Sequence, residues 1–282
     1  MRALDRDVTD AVWAAVQPLL PAPSKRHPLG CHRPRVPDRV VFRGILIRLI
    51  TGCSWETTEQ LLDHEVSDTT MRARRDEWIQ AGVFDKLMNE AIAAFDRIIG
   101  LELSETAVDG SLQKAPCGGE GTGPNPCDRG KRGWKWSMLT EANGIPLGFE
   151  IDGANRQDMV MLAPTLDDVN SRGLLVEIET LRLDRGYDNA MVRGVCAERG
   201  LTDVDIAKKR KTRSKRPRKA IRQHPGPRWV VERTNSWLTN YGQMRRNTDR
   251  SSVHRLAQLH LVCVLLIVIK LIDWRNRWSP IR

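Results

Sequence analysis

Residues 134–151 read Trp134-Lys135-Trp136-Ser137-Met138-Leu139-Thr140-Glu141-Ala142-Asn143-Gly144-Ile145-Pro146-Leu147-Gly148-Phe149-Glu150-Ile151. Two β-compatible runs, 134–140 and 145–151, flank Asn143-Gly144. That dipeptide is the strongest short-range hairpin signal, because Asn and Gly both tolerate the positive φ that a two-residue turn demands. Upstream, Thr106-Ala107-Val108 forms a short strand ending at Asp109-Gly110, followed by a loop over 115–133 rich in Gly, Pro and basic residues. Downstream, 158–169 has the pattern of a helix, and 179–183 that of a strand ending at Asp184. A helix over 189–199 and a short strand over 202–207 follow, and beyond Pro225 and Pro227 the pattern is helical to near Trp274.

Hairpin-connected strands followed by helix, strand, helix, strand and helices predict a mixed sheet. Its first part is a three-strand antiparallel meander, extended by parallel strands through helical crossovers and covered by helices. That α/β order is the order of a ribonuclease-H-like core. The first hundred residues predict helices instead, over 8–20, 40–51, 55–64 and 69–80. The last two, joined by a tight turn at Glu65-Val66-Ser67-Asp68, have the form of a helix-turn-helix. Arg72, Arg74 and Arg75 lie on the second of these helices and are candidates for DNA contact. An ordinary bundle with a charged face is the alternative.

With 282 residues, of which 40% are hydrophobic, the chain can build one large or two smaller cores, which excludes a disordered tail. The opening residues lack the apolar run of a secretory signal. The strongest apolar stretch, 261–269, is shorter than the ~20 residues needed to cross a bilayer, so a buried helix of a soluble, cytoplasmic protein is expected. Six cysteines show no CxxC or zinc-finger spacing.

The net charge of +10 is localised. Lys208, Lys209, Arg210, Lys211, Arg213, Lys215, Arg216, Arg218, Lys219 and Arg222 occupy 208–222 without an acidic residue. Such a block is either a solvated loop or a phosphate-binding arm that releases counterions from nucleic acid. Arg129, Lys131, Arg132 and Lys135, interleaved with Trp134 and Trp136, pose the same choice. Trp229, Arg233 and Trp237 recur every four residues on one helical face, open to core packing or to stacking on a DNA base.

Three acidic residues stand where this architecture can gather them. Asp109 and Asp184 end strands, and Glu232 lies on the helix beginning near Pro227, with Arg228 four residues earlier on its face. Clustered carboxylates repel and stay ionised comfortably beside a divalent cation. Hard Mg²⁺ or Mn²⁺ binds carboxylate and phosphate oxygens. Two such ions about 4 Å apart can activate the attacking oxygen and stabilise the leaving oxygen in phosphoryl displacement. Caps and turns use Asp and Glu as well, so the combination with basic segments carries this reading.

Val108-Asp109-Gly110-Ser111, Leu183-Asp184-Arg185-Gly186-Tyr187-Asp188 and Arg228-Trp229-Val230-Val231-Glu232-Arg233-Thr234-Asn235-Ser236-Trp237-Leu238 resemble motifs of bacterial DDE transposases of insertion sequences, in the group named after insertion sequence five. Gln17-Pro18-Leu19-Leu20-Pro21, Thr51-Gly52-Cys53-Ser54-Trp55 and Thr140-Glu141-Ala142-Asn143-Gly144 extend the resemblance over nearly the whole chain. The resemblance implies that Asp109, Asp184 and Glu232 form the metal triad of a ribonuclease-H-like catalytic core performing cut-and-paste transposition. It departs from the wider family pattern at Pro225 and Thr239, where a Tyr and a Lys are usual, so Arg245 or Arg246 becomes a candidate for the lysine's role. Arg185, beside Asp184, joins the candidates for DNA contact.

The resulting expectation is a helical DNA-binding domain over 1–100 and a catalytic domain over 101–282 that includes the basic segment and the C-terminal helices. Its partners are double-stranded DNA, as terminal inverted repeats and target, and further copies of the chain in a dimer or larger oligomer, in a bacterial, nucleoid-associated setting without a membrane. Two alternatives are a related metal-dependent nuclease without strand transfer and an inactive DNA-binding repressor or scaffold.

Overall fold

In the computed structural model, residues 2–22, 34–207 and 229–278 are described. Among them, one sheet is formed by β1 (Glu105–Lys114), β2 (Gly123–Pro124), β3 (Arg132–Thr140), β4 (Pro146–Gly153), β5 (Thr180–Leu183) and β6 (Asp203–Ile206). β3 pairs antiparallel with β4 along most of its length and with β2 at its start. On the other side the order continues β3, β1, β5, β6, with β1–β5 and β5–β6 parallel. The mixed sheet inferred from element order is therefore present.

The hairpin forms, but its turn is longer than Asn143-Gly144 suggests. Asn143 keeps a negative φ and only Gly144 is left-handed, at φ 85°. The Gly144 N–H donates to the Glu141 carbonyl at 2.9 Å, and the Glu141 N–H to the Ile145 carbonyl at 3.1 Å. This is the longer hairpin loop that ends in a left-handed glycine. The buried Glu141 carboxylate sets it, accepting from the N–H groups of Asn143 and Ile145, each at 2.8 Å, and of Glu102 at 3.2 Å.

β3 shows no alternation: from Gly133 to Thr140 every residue is buried. A central strand covered on both faces has this signature. Trp134 and Trp136 are therefore core residues with ring centroids 5.3 Å apart, not aromatics available to nucleic acid. β1 also differs from expectation, since it continues beyond Val108 through Asp109-Gly110 to Lys114. Helix α6 (Asp158–Ser171) packs on β3 and β4 and buries Met161, Leu162, Leu166 and Val169. Helix α7 (Ala190–Glu198) lies against α6, and α8 (Trp229–Leu238) follows.

The chain divides into two compact units: residues 101–113 with 121–237, which hold the sheet, and residues 1–100 with 114–120 and 238–282. The second is helical. It contains α1 (Arg6–Val16), α2 (Asp38–Thr51), α3 (Trp55–Leu61), α4 (Asp68–Gln80), α5 (Val83–Ile98), α9 (Gly242–Arg245) and α10 (Ser252–Trp278). By contacts, the C-terminal helices that were expected with the catalytic domain group with this helical unit. α10 packs on α5, α1 and α4, burying Leu259, Leu261, Val262, Val264, Leu265 and Ile267, so it completes the core of the N-terminal helices. α10 is also long and apolar enough to cross a membrane by length and composition, yet 72% of its most apolar window is buried among its neighbours.

Candidate active site at the ends of the parallel strands

The register of the parallel strands gathers the first two carboxylates. β1 and β5 pair as Glu105↔Thr180, Thr106↔Leu181 and Ala107↔Arg182. The same offset, carried two residues further, sets Asp109 beside Asp184 on strands about 4.8 Å apart. Partners in parallel register point to the same face of the sheet. Asp184 directly follows β5 and caps the next turn, its carboxylate accepting from the Gly186 N–H at 2.6 Å.

Successive residues of β3 address opposite faces of the sheet. Trp136 donates its indole N–H to the Asn235 side-chain Oδ1 at 2.8 Å, and Asn235 Nδ2 donates to Asp109 Oδ2 at 3.4 Å. On the other face, Ser137 meets Thr165 of α6 at 2.9 Å. There the buried Lys135 donates to Asp158 Oδ1 at 2.5 Å and to the Arg156 carbonyl at 3.0 Å. Gly110 makes room for that pair, since a Cβ on it would stand 2.3 Å from Asp158 Oδ1. Tyr187 is buried close by. Burial, together with the negative charges of Asp158, Asp109 and Asp184, pushes its phenol far above the usual tyrosine range. The Ser137 hydroxyl eases this shift slightly but lies outside hydrogen-bond geometry.

Glu232 is exposed in the first turn of α8, one helical turn before Asn235 and on its side of the helix. Three anchors hold this helix. Val231 and Leu238 are fully buried, Thr234 donates to the Gly144 carbonyl at 2.9 Å, and Arg233 donates to the Asn143 carbonyl at 2.9 Å. The hairpin turn is thus the dock for the helix that carries Glu232. Among the described residues no three His, Cys, Asp or Glu side chains converge closely enough to hold a metal ion. The β1–β5 register, extended by two residues, sets Asp109 opposite Asp184, and Glu232 does not complete a three-carboxylate group with them.

The Trp229–Arg233–Trp237 face is neither core nor a bare stacking platform. The Arg233 guanidinium sits between the two indoles, 4.8 Å from Trp229 and 4.7 Å from Trp237. Of the arginines on α4, Arg72 is half-exposed and pairs with Asp68 at 3.0 Å. Arg74 and Arg75 are buried, which corrects their expected role as base readers. Arg74 pairs with Asp38 and, at 3.2 Å, with Glu77. Arg75 pairs with Asp76 at 2.9 Å and Asp249 at 3.4 Å and lies over the Trp55 ring. A buried, paired guanidinium has no donors to offer a base edge. Arg129, Lys131, Arg132, Arg185, Arg245 and Arg246 are exposed. Lys208, Lys209, Arg210, Lys211 and Arg228, like the rest of the basic segment, fall outside the described residues.

Sequence reading missed Asn235, Trp136, Lys135, Tyr187 and Glu141 as parts of the site. Asn235 alone had a legible signal, its spacing of three from Glu232.

Comparison with known proteins places this geometry in a family. A family model described as "Putative transposase of IS4/5 family" matches residues 8–88, and one described as "Transposase DDE domain" matches residues 101–268. The chain is 37% identical over 150 residues to the "Putative transposase for insertion sequence element IS402" of Burkholderia cepacia, covering 51% of this chain and 67% of that protein. It is 32% identical over 119 residues to the "Insertion element IS402 uncharacterized 16.2 kDa protein" of the same organism, covering 42% of this chain and 80% of that one. The solved "Mos1 transposase paired-end complex with left transposon end" overlaps at 11% identity with a TM-score of 0.26, over 66% of this chain and 62% of that one. The model matched over residues 101–268 spans more than half of the chain: it belongs to the DDE transposase family of insertion sequences.

Proposed function

We propose that the chain cuts DNA at the ends of an insertion element and joins them to target DNA, with Asp109, Asp184 and Glu232 as its metal-binding carboxylates. The observation that carries this reading is the parallel register of β1 and β5, which sets Asp109 beside Asp184 while Asn235 ties the Glu232 helix to Asp109. Two adjacent carboxylates of ribonuclease-H-like strand order offer the hard oxygen donors that Mg²⁺ or Mn²⁺ selects. When bound, the ions activate the attacking oxygen and stabilise the leaving one. The protein's own part is positioning. Asn235 orients Asp109, the Gly186 N–H orients Asp184, and the docked α8 presents Glu232 from a rigid helix.

The partner is double-stranded DNA. The exposed Arg129, Lys131, Arg132 and Arg185 belong to the same unit as the carboxylates and suit phosphate binding. The α3–α4 pair, with Arg72 outward, is the candidate for reading terminal repeats as a helix-turn-helix. The protein works in the bacterial cytoplasm at the nucleoid, as a dimer or larger assembly on paired ends.

The test is cleavage of end-sequence DNA with Mg²⁺ or Mn²⁺ by Asp109→Asn, Asp184→Asn and Glu232→Gln. Each should lose 3′-hydroxyl cuts and joined products while still binding DNA, because one lost ligand charge removes several kcal/mol of transition-state stabilisation, roughly a thousandfold or more in rate. Retained cleavage in Glu232→Gln overturns the assignment of the third carboxylate.

A further inference from the structure

We propose that Asn235 is a positioning residue that fixes the Asp109 carboxylate for metal binding and locks α8 to β1. The inference rests on Asp109 being a metal ligand, as proposed above. Trp136 is fully buried and Asn235 is 6% exposed, so neither polar group has water as an alternative partner. The indole N–H can only donate, so the Asn235 oxygen must face Trp136, at 2.8 Å. The amide N–H₂ is thereby forced toward Asp109 Oδ2, at 3.4 Å. An amide can turn over freely in most settings; here the buried indole decides its orientation. The carboxylate thus receives a neutral donor at Oδ2. Since α8 also carries Glu232, one side chain links the orientation of the first carboxylate to the position of the third.

Outer partners of this kind typically change metal affinity or activity by about 10–100-fold when removed. Asn235→Leu keeps the shape but deletes both hydrogen bonds and leaves the Trp136 N–H buried and unpaired, so it should also lower the melting temperature. The double variant Asn235→Leu/Trp136→Phe removes that unpaired donor. Its melting temperature should recover toward wild type while the donor to Asp109 stays missing. The experiment is Mn²⁺ binding to the full chain, read from the free-ion electron paramagnetic resonance signal, alongside metal-free thermal unfolding, for wild type, both variants and Asp109→Asn.

The expected result is Mn²⁺ affinity lowered about 10–100-fold in both Asn235 variants, with stability recovered only in the double variant. Wild-type affinity in both Asn235 variants, with binding lost in Asp109→Asn, overturns the positioning role and leaves the carboxylate reading standing. Wild-type affinity in Asp109→Asn as well overturns both. Affinity that recovers together with stability in the double variant also overturns the proposal, because Asn235 then matters only for packing.

Discussion

Gly144→Ala tests whether the hairpin turn positions the helix that carries Glu232. Gly144 is left-handed at φ 85°, and a Cβ there would stand 2.7 Å from Thr234 Oγ1 and 3.2 Å from Arg233 Nη2. The left-handed conformation costs an L-residue about 1–2 kcal/mol. Displacing Thr234 costs its bond to the Gly144 carbonyl, about 1 kcal/mol. The sum, about 2–3 kcal/mol, converts to a fall in melting temperature of roughly 4–10 °C for a chain of this size. The clash also pushes α8, and Glu232 with it, away from the sheet by several tenths of an ångström. Misplacement on that scale costs on the order of 10- to 100-fold in a rate set by geometry. The assays are thermal unfolding and single-turnover cleavage of end-sequence DNA. Thr234→Val serves as the comparison, because it deletes the hydrogen bond without adding bulk at the turn, and it should show about a third of the stability loss. A Gly144→Ala protein that melts and cleaves like wild type refutes the docking argument. One that is destabilised yet cleaves at the wild-type rate leaves the turn structural and severs it from catalysis.

Asp249 anchors the helical unit, pairing with Arg48 at 3.0 Å and Arg75 at 3.4 Å and accepting from Gln258 at 2.6 Å. Asp249→Asn should cost about 3–5 kcal/mol in denaturant unfolding, since it leaves the buried Arg48 uncompensated. Burial alone would raise the Asp249 pKa, but Arg48 and Arg75 outweigh it and hold it below the usual range. Its contribution is therefore complete above the unfolded value of about 3.9 and disappears as pH falls through the lower folded value, so the gap between wild type and Asp249→Asn should close in that acidic window. Replacing Lys208, Lys209, Arg210 and Lys211 with Ala should weaken binding to any duplex. It should reduce the log–log salt slope by roughly 0.9 for each phosphate that is no longer neutralised, and an unchanged slope makes the segment a solvated loop. Arg72→Ala should lower the preference for terminal-repeat over random DNA while sparing stability, whereas Arg74→Ala should chiefly unfold the helical unit by depriving Asp38 and Glu77 of its guanidinium. Equal end preference in wild type and Arg72→Ala removes α4 from end recognition.

The sequence by itself determined most of the elements and their order, though α5 and the short β2 went unread. The runs flanking Asn143-Gly144, the apolar strand before Asp184 and the helices of the first hundred residues are local patterns that each segment carries whatever it packs against. The three motifs that hold Asp109, Asp184 and Glu232 are local as well, and it is their resemblance to the family that marked these carboxylates as candidates. Other features depended on partners far away in the chain. Arg74 and Arg75 read as a basic helix face until Asp38 and Asp249 appear beside them. Trp134 and Trp136 read as an exposed aromatic pattern until both faces of β3 are covered, because a central strand loses the alternation that marks a half-buried one. The turn lengthened because Glu141 offered its amides a buried acceptor, a choice no dipeptide preference contains. α10 joined the N-terminal helices because an apolar helix declares that it must be buried without declaring where. Only the tertiary structure brought Asn235 between Trp136 and Asp109, since a hydrogen bond spanning 126 residues has no local signature in the chain.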